Sequence, residues 1–369
     1  MSEVLARIRV RETHGIRRFL YPLSAVASLP QTLKMGETKP FGELYGGFAV
    51  KDSRGQDVPR QIVPYGNSSA ARVDFALSLA PGESQELAVV QAPGLTSFPD
   101  PLHITSTLEG GLKNTQERFT VIVNPEGSIG EIVYDGVRHL RGPSRILRND
   151  KAAWHSSTTA LNNDPYFFLY SQLQAKSRYD DGGFARTRAS LTACKSWVTV
   201  THTLEQPRPE EEVAFTLPLA ITSPTLTCDF GVGGYVFGKL DQKASEIIWR
   251  TEFGDAPHAR WAVATAGRTD YVGEVGTAEE FRPQRWFHLI DSDKALAVAI
   301  TQVPPDCREM TVRLTHEGDV SIAFRLGDTI TGPAEFAVCY HFLNDVPAIA
   351  AATNPQSILL PPVVEVLPV

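Results

Sequence analysis

The stretch "RFTVIVNPEGSIGEIVYDG", Arg118 to Gly136, decides the fold. Phe119, Val121 and Val123 recur at every second position, the period of a strand with one buried face. Asn124, Pro125, Gly127 and Gly130 then break the pattern with residues that favour tight turns. Ile129 and Ile132 restart it three positions apart instead of two. The spacing therefore predicts a hairpin whose second strand carries an irregularity, with Phe119, Val121 and Val123 facing an inter-sheet core. The stretch reads as structural, not as a site.

Working outward, the same period dominates. "WVTVTHTLE" puts Val198, Val200 and His202 on one face and Trp197, Thr199, Thr201 and Thr203 on the other. "MTVRLTHEGDVSIAFRLG" reads as a hairpin around Glu317-Gly318-Asp319, and "RYDDGGFAR" as a hairpin turn, because Asp-Gly is a strong turn signal. "ALAVAITQV" and "EFAVCYHFL" are apolar strands rich in residues that sheets favour. Helical spacing is confined to "DVPAIAAATN" and one turn at "QTLKMGE". The 28 glycines and 26 prolines supply punctuation throughout. The chain reads as all-β. A Pro-rich link, "VVQAPGLTSFPDPLHI", divides it into a small N-terminal β-sandwich over 1–97 and a large antiparallel two-sheet sandwich over 98–369. The apolar end "ILLPPVVEVLPV" reads as a strap across a sheet or an edge strand.

The 369 residues are 42% hydrophobic and 21% charged, with a net charge of -7. That is a globular composition, and its sign argues against a nucleic-acid partner held through phosphates. Cys194, Cys228, Cys307 and Cys339 are far apart and lack metal-ligand spacing, so reduced thiols, no metal and no cofactor are expected. No run is long enough to cross a bilayer, and the first residues enter a strand pattern without an apolar leader core, which points to a protein with no membrane partner that is cytoplasmic, or secreted or periplasmic if a leader has been removed. There is no P-loop, HExxH or GxSxG motif, and "FGVGGYVFG" lacks dinucleotide-loop spacing.

Two stretches carry a resemblance. "GGFAVKDSRGQDVPRQIVPYG" followed by "RVDFALSLAPGESQELAVV" resembles the small sandwich beside the large β-domain of several sugar-cleaving families, through Val58, Pro59, Gln61 and the turn Pro81 to Ser84. The opening stretch and "RWFHLIDSDKALAVAI" resemble hairpins of the galactose-mutarotase-like supersandwich, found in α-mannosidases and exo-acting rhamnogalacturonan lyases. The resemblance implies a supersandwich and a carbohydrate substrate or ligand. Those larger families carry a further helical or α/β domain that has no counterpart here, so no catalytic residue transfers from them.

Sugar sites need aromatic faces and hydrogen-bonding groups. Hydrolysis adds two carboxylates, whereas elimination needs a base and a cation. Three clusters offer such groups. "IIWRTEFGDAPHARW" supplies Trp249 and Arg250 as binding residues and Glu252 as a catalytic group, with a plain Arg250–Glu252 ion pair as the alternative. "EEFRPQRWFHLID" supplies Arg285 and His288 as catalytic groups and Trp286 as a platform. The alternative buries Trp286 and bonds His288 to a carbonyl. "WHSSTTALNNDPYFFLY" supplies Trp154, His155 and Tyr166. Tyr235 follows a glycine-bent strand as a further binding group. His202 is either catalytic or a buried, satisfied histidine. These clusters are expected to converge in one trough. Three functions follow: a lyase or glycosidase, a mutarotase-like isomerase, or a binding β-subunit of a separate catalytic chain. Homo-oligomers are compatible with each.

Overall fold

The computed structural model describes residues 3–29, 48–64, 70–91, 103–115, 118–161, 169–193, 195–229, 237–240, 245–253, 258–265, 268–275, 285–291, 294–343 and 355–368. Nearly all of this is antiparallel strand, joined by tight turns, with one short helix at 355–359. The predicted helices "DVPAIAAATN" and "QTLKMGE" lie outside the described residues, as does Cys194. Cys228, Cys307 and Cys339 are buried free thiols. Among the described residues no helix is long and apolar enough to cross a membrane, and no three His, Cys, Asp or Glu side chains gather as a metal site.

Two large sheets form the main body. One has nine described strands, in the order Trp154–Leu161, Tyr170–Arg178, Phe184–Thr192, Trp197–Leu204, Ala334–Leu343, Lys294–Gln302, Trp286–Asp291, Leu226–Asp229 and Phe237–Leu240. The other has eight and runs from Lys151–Ala152 through Arg145–Arg148, Glu212–Pro218, Asp319–Leu326, Cys307–Thr315 and Glu246–Glu252 to His258–Thr265 and Arg268–Val275. Between them lies one apolar core, including Leu173, Val200, Phe215, Trp249, Phe287, Val298, Phe324, Phe336 and Phe342. Period-two alternation generates it: Leu296, Val298 and Ile300 of one strand point inward, while Ala295, Ala297 and Ala299 point outward.

The opening hairpin behaves as its spacing predicts. Phe119, Val121, Val123, Ile129 and Ile132 are all buried in this core. Strands Phe119–Val123 and Ile129–Tyr134 pair antiparallel, with the register slipping between Ile129 and Glu131. The slip is the bulge that lets two isoleucines three apart share one face. The turn closes through Gly127 N–H to the Asn124 carbonyl, 2.9 Å, with Gly127 at φ +87°. The hairpins predicted at Gly318 and Asp181-Gly182 also form, each with its glycine at positive φ.

A smaller sandwich has its own core, with Ile8, Val10, Phe48, Val73, Phe75 and Val89 at its centre. Its four-stranded sheet is Val363–Leu367, Val4–Arg11, Ser84–Gln91 and Phe48–Lys51. Its three-stranded sheet is Arg18–Ser28, Ala70–Leu79 and Arg60–Pro64. The terminal "VVEVL" is thus an edge strand paired with Val4–Arg11, so this sheet draws on both ends of the chain. Arg18 is fully buried and ties the short helix down, bonding Glu12 at 2.5 Å and donating to the carbonyls of Ser357 and Leu360. The small sandwich packs on the outer face of the nine-stranded sheet. Tyr21 meets Trp197 edge-on at 5.4 Å, and Gln61 of the "VPRQ" segment accepts the Tyr170 N–H at 2.8 Å.

Candidate functional site

At one end of the large sandwich the two sheets part around a crevice of about 210 Å³, lined by Glu126, Ser128, Ser144, Arg145, Ser177, Tyr179, Thr187 and His202 together with Pro143, Ile146, Ala152 and Ala153. A single buried water needs only roughly 10–15 Å³. The inward faces of Tyr170–Arg178, Phe184–Thr192 and Trp197–Leu204 supply one wall. The opposite wall comes from Arg145–Arg148 and the segment Ala152–Ala153, where the chain passes from one sheet to the other.

His202 lies at the bottom and is 1% exposed. It continues the inward row of Val198 and Val200, and where those pack on aliphatic side chains it meets hydroxyls. Its Nε2 is 3.1 Å from the Tyr179 hydroxyl and its Nδ1 2.9 Å from Thr187 Oγ1, its cross-strand neighbour. Burial, and secondarily the Arg148 charge, lower its pKa to about 4, so the imidazole is neutral near pH 7. Burial raises the Tyr179 phenol, which keeps its proton. The Arg148 guanidinium lies 5.1 Å from the Tyr179 ring centroid, held by Glu211 and by Asp181 at 3.3 Å. The base of the crevice is therefore a rigid set of uncharged donors and acceptors. Among the described lining residues Glu126 is the one carboxylate, and it accepts the Ser128 hydroxyl at 2.5 Å. Glu126 has no second carboxylate beside it among the described lining residues, and two-carboxylate hydrolysis needs a pair.

The hairpin turn that reads as purely structural in the sequence also forms part of this rim, because Glu126 and Ser128 belong to it. A Cβ at Gly127 would lie 2.8 Å from Thr187 Cγ2, and the residue's positive φ disfavours side chains as well. Gly127→Ala is therefore expected to destabilise the protein by about 1–3 kcal/mol and to displace Thr187, which urea unfolding and the Thr187 methyl NMR shift will report.

Among the described residues the three clusters do not converge in one trough; their side chains lie on different faces. Trp249 points into the aliphatic core and donates Nε1–H to Thr251 at 3.1 Å. Arg250 and Glu252 point to the outer side of the eight-stranded sheet, where Arg250 pairs with Glu309 at 3.4 Å instead of Glu252. Trp286 and His288 lie on the outer face of the nine-stranded sheet, opposite to His202, and both are buried. His288 joins a cross-strand row with Ala297, His341 and Trp197. Burial lowers the His288 pKa to about 4. Arg285 is exposed. Of the residues read as catalytic, His202, His288 and Glu252 therefore lie on three different faces. Tyr166 and Tyr235 lie outside the described residues.

The cluster beginning Trp154-His155 does reach the crevice end. His155 Nε2 is 2.9 Å from Thr158 Oγ1, which donates to the Pro125 carbonyl at 2.8 Å. Since the hydroxyl proton goes to Pro125, His155 must donate Nε2–H to Thr158. Trp154 faces outward. Sequence reading missed Tyr179, Thr187 and Ser177. The signal available was parity: Thr187 pairs with His202, and Tyr179 immediately precedes the Asp-Gly turn.

His139, His202 and His288 are all buried with pKa values lowered to about 4 from 6.5, burial being the leading cause in each. Unfolded chains take up protons near pH 6.5 that the folded protein takes up only near pH 4. Stability is thus fully present above pH 6.5 and falls as pH drops through that window, by about 1.4 kcal/mol per pH unit for each such histidine. Urea unfolding at intervals from pH 7.5 to 4 measures the slope, and a flat profile contradicts the neutral burial of these rings.

No protein-family model and no curated relative matches the sequence. Solved structures with the same fold do exist. A protein in glycosyl hydrolase family 38 from Enterococcus faecalis aligns at TM-score 0.60 and 12% identity, over 98% of this chain and 47% of its own. An α-mannosidase from Enterococcus faecalis V583 aligns at TM-score 0.64 and 11% identity, over 98% and 46%. The likeness is one of fold, and the chain spans less than half the length of these neighbours.

Proposed function

We propose that the chain is the carbohydrate-recognising β-half of a glycoside-processing enzyme, holding one uncharged sugar ring in the crevice above His202, with bond cleavage supplied by a separate catalytic domain or subunit. The observation that carries this reading is the crevice base: Tyr179, Thr187 and neutral His202 form a fixed hydroxyl and imidazole array beside Ser128, Ser144 and Ser177. His202 fixes the two hydroxyls, and each hydroxyl oxygen keeps a lone pair that an entering sugar hydroxyl could engage. The fold shared with family 38 chains supports a carbohydrate context, and the alignment to less than half of each neighbour supports a partner domain. The dispersal of His202, His288 and Glu252 onto three faces disfavours a lyase or glycosidase built from them.

Isothermal titration with a panel of methyl glycosides, methyl α-D-mannopyranoside first, tests the reading. Ala152 is exposed at the rim, so Ala152→Trp is expected to fill the mouth and abolish binding while leaving the unfolding midpoint unchanged. Binding by no glycoside of the panel, or equal binding by Ala152→Trp, overturns it.

A further inference from the structure

The outer face of the three strands at this edge of the nine-stranded sheet, Trp154–Leu161, Tyr170–Arg178 and Phe184–Thr192, carries a different surface. Trp154, Arg178 and Phe184 are consecutive partners in one cross-strand row, so their side chains emerge on one side of the sheet. Trp154 is 68% exposed and Phe184 48%, although neither ring is loose. Trp154 Nε1 donates to Asp180 at 2.8 Å, and the Arg178 guanidinium lies 4.5 Å from the centre of the Phe184 ring. The two aromatic residues stand two strand spacings apart, roughly 9.5 Å, a separation comparable to two rings of an extended sugar chain.

The next rows on this face are rich in donors: Ser157, Lys176 and Arg186, then Gln174 and Arg188. Arg186 pairs with Glu205, and Arg188 with Glu335 at 2.8 Å. Among the described residues Lys176 and Arg178 meet no carboxylate. Two cations outside any ion pair thus flank two fixed aromatics, with the Asp180 carboxylate held on the Trp154 indole, in a chain of net charge -7. Exposed aromatic faces bind the C–H faces of sugar rings, and an arginine fork binds carboxylates.

We propose that this face binds an extended, carboxylate-bearing polysaccharide, with Trp154 and Phe184 as stacking platforms and Arg178 and Lys176 as carboxylate contacts. It would dock a polymer near the crevice that takes a single ring. The inference rests on the reading of the chain as a carbohydrate-handling unit, but it concerns separate residues on the opposite side of the sheet.

Affinity electrophoresis and titration with alginate, neutral dextran and a single-stranded oligonucleotide provide the test. Alginate is expected to bind, and to do so more weakly as salt rises. Trp154→Ala with Phe184→Ala should weaken it by about tenfold or more, and Arg178→Gln with Lys176→Gln should weaken it and flatten the salt dependence. All four positions are exposed, so unchanged unfolding curves are expected. Ala152→Trp should leave alginate binding intact, so loss of glycoside binding with retained alginate binding separates the crevice from this face. Alginate binding unaffected by either double variant, equal retention by dextran, or preference for the oligonucleotide overturns the proposal.

Discussion

Replacing Trp249 with alanine is expected to lower folding stability by about 3–5 kcal/mol and to leave glycoside binding by the remaining folded molecules unchanged. Trp249 belongs to strand Glu246–Glu252, between partners Trp261 and Val312, and its 2% exposed indole faces the inter-sheet core. Removing it opens a cavity among side chains fixed by two sheets, which have little freedom to collapse. The loss of the bond to Thr251 adds little by comparison. Urea unfolding gives the stability, and titration below the transition gives the binding. A stability loss under about 1 kcal/mol with glycoside binding abolished would return the indole to a binding role and contradict the placement described above.

Glu211→Ala should have an effect of similar size for a different reason. Arg148 and Glu211 are 3% and 4% exposed at their side chains, and Glu211 also accepts the Arg208 N–H at 2.8 Å. Among the described residues, truncating Glu211 leaves the buried guanidinium with Asp181 at 3.3 Å, an exposed partner, as its one carboxylate. Breaking a buried pair on one side costs about 3–5 kcal/mol, whereas replacing both partners with apolar groups is often close to neutral. The double variant Arg148→Met with Glu211→Leu should therefore recover much of the stability. Arg148 also underlies Tyr179, so both variants should bind glycosides more weakly than the parent in their folded state. A near-neutral Glu211→Ala, or a double variant less stable than the single, contradicts this assignment.

The fold was legible because strand periodicity is a local signal. Each inward residue of Phe119–Val123 and Trp197–Leu204 can be named from alternation alone, as can the turns at Gly127, Gly182 and Gly318. Even the bulge after Ile129 announces itself as a three-residue step. The site was much less legible, because alternation gives parity and not sheet membership. Trp249 and Trp286 each share a face with the neighbours their spacing predicts, yet one face is the inter-sheet core and the other lies on the opposite side of the second sheet. Nothing local distinguishes a strand of the eight-stranded sheet from one of the nine-stranded sheet. His202 stood between two readings, catalytic or buried and satisfied. Its bonds to Tyr179 and Thr187 satisfy both ring nitrogens, and at 1% exposure the ring orients those two hydroxyls beneath the crevice instead of presenting a surface of its own. The Asn124–Ser128 turn shows the converse: residues chosen by a hairpin's geometry also form part of the rim.

The most direct measurement is an NMR titration of the protein, carrying labelled alanine and threonine methyl groups, with methyl α-D-mannopyranoside and its epimeric glycosides. Saturable shifts at Thr187, Ala152 and Ala153, with Ala297 and Ala299 on the far face of the sheet unmoved, are the predicted result. Saturable shifts centred on Ala297 and Ala299 beside His288, or none at Thr187 with any glycoside, would contradict the claim that the crevice above His202 holds the sugar.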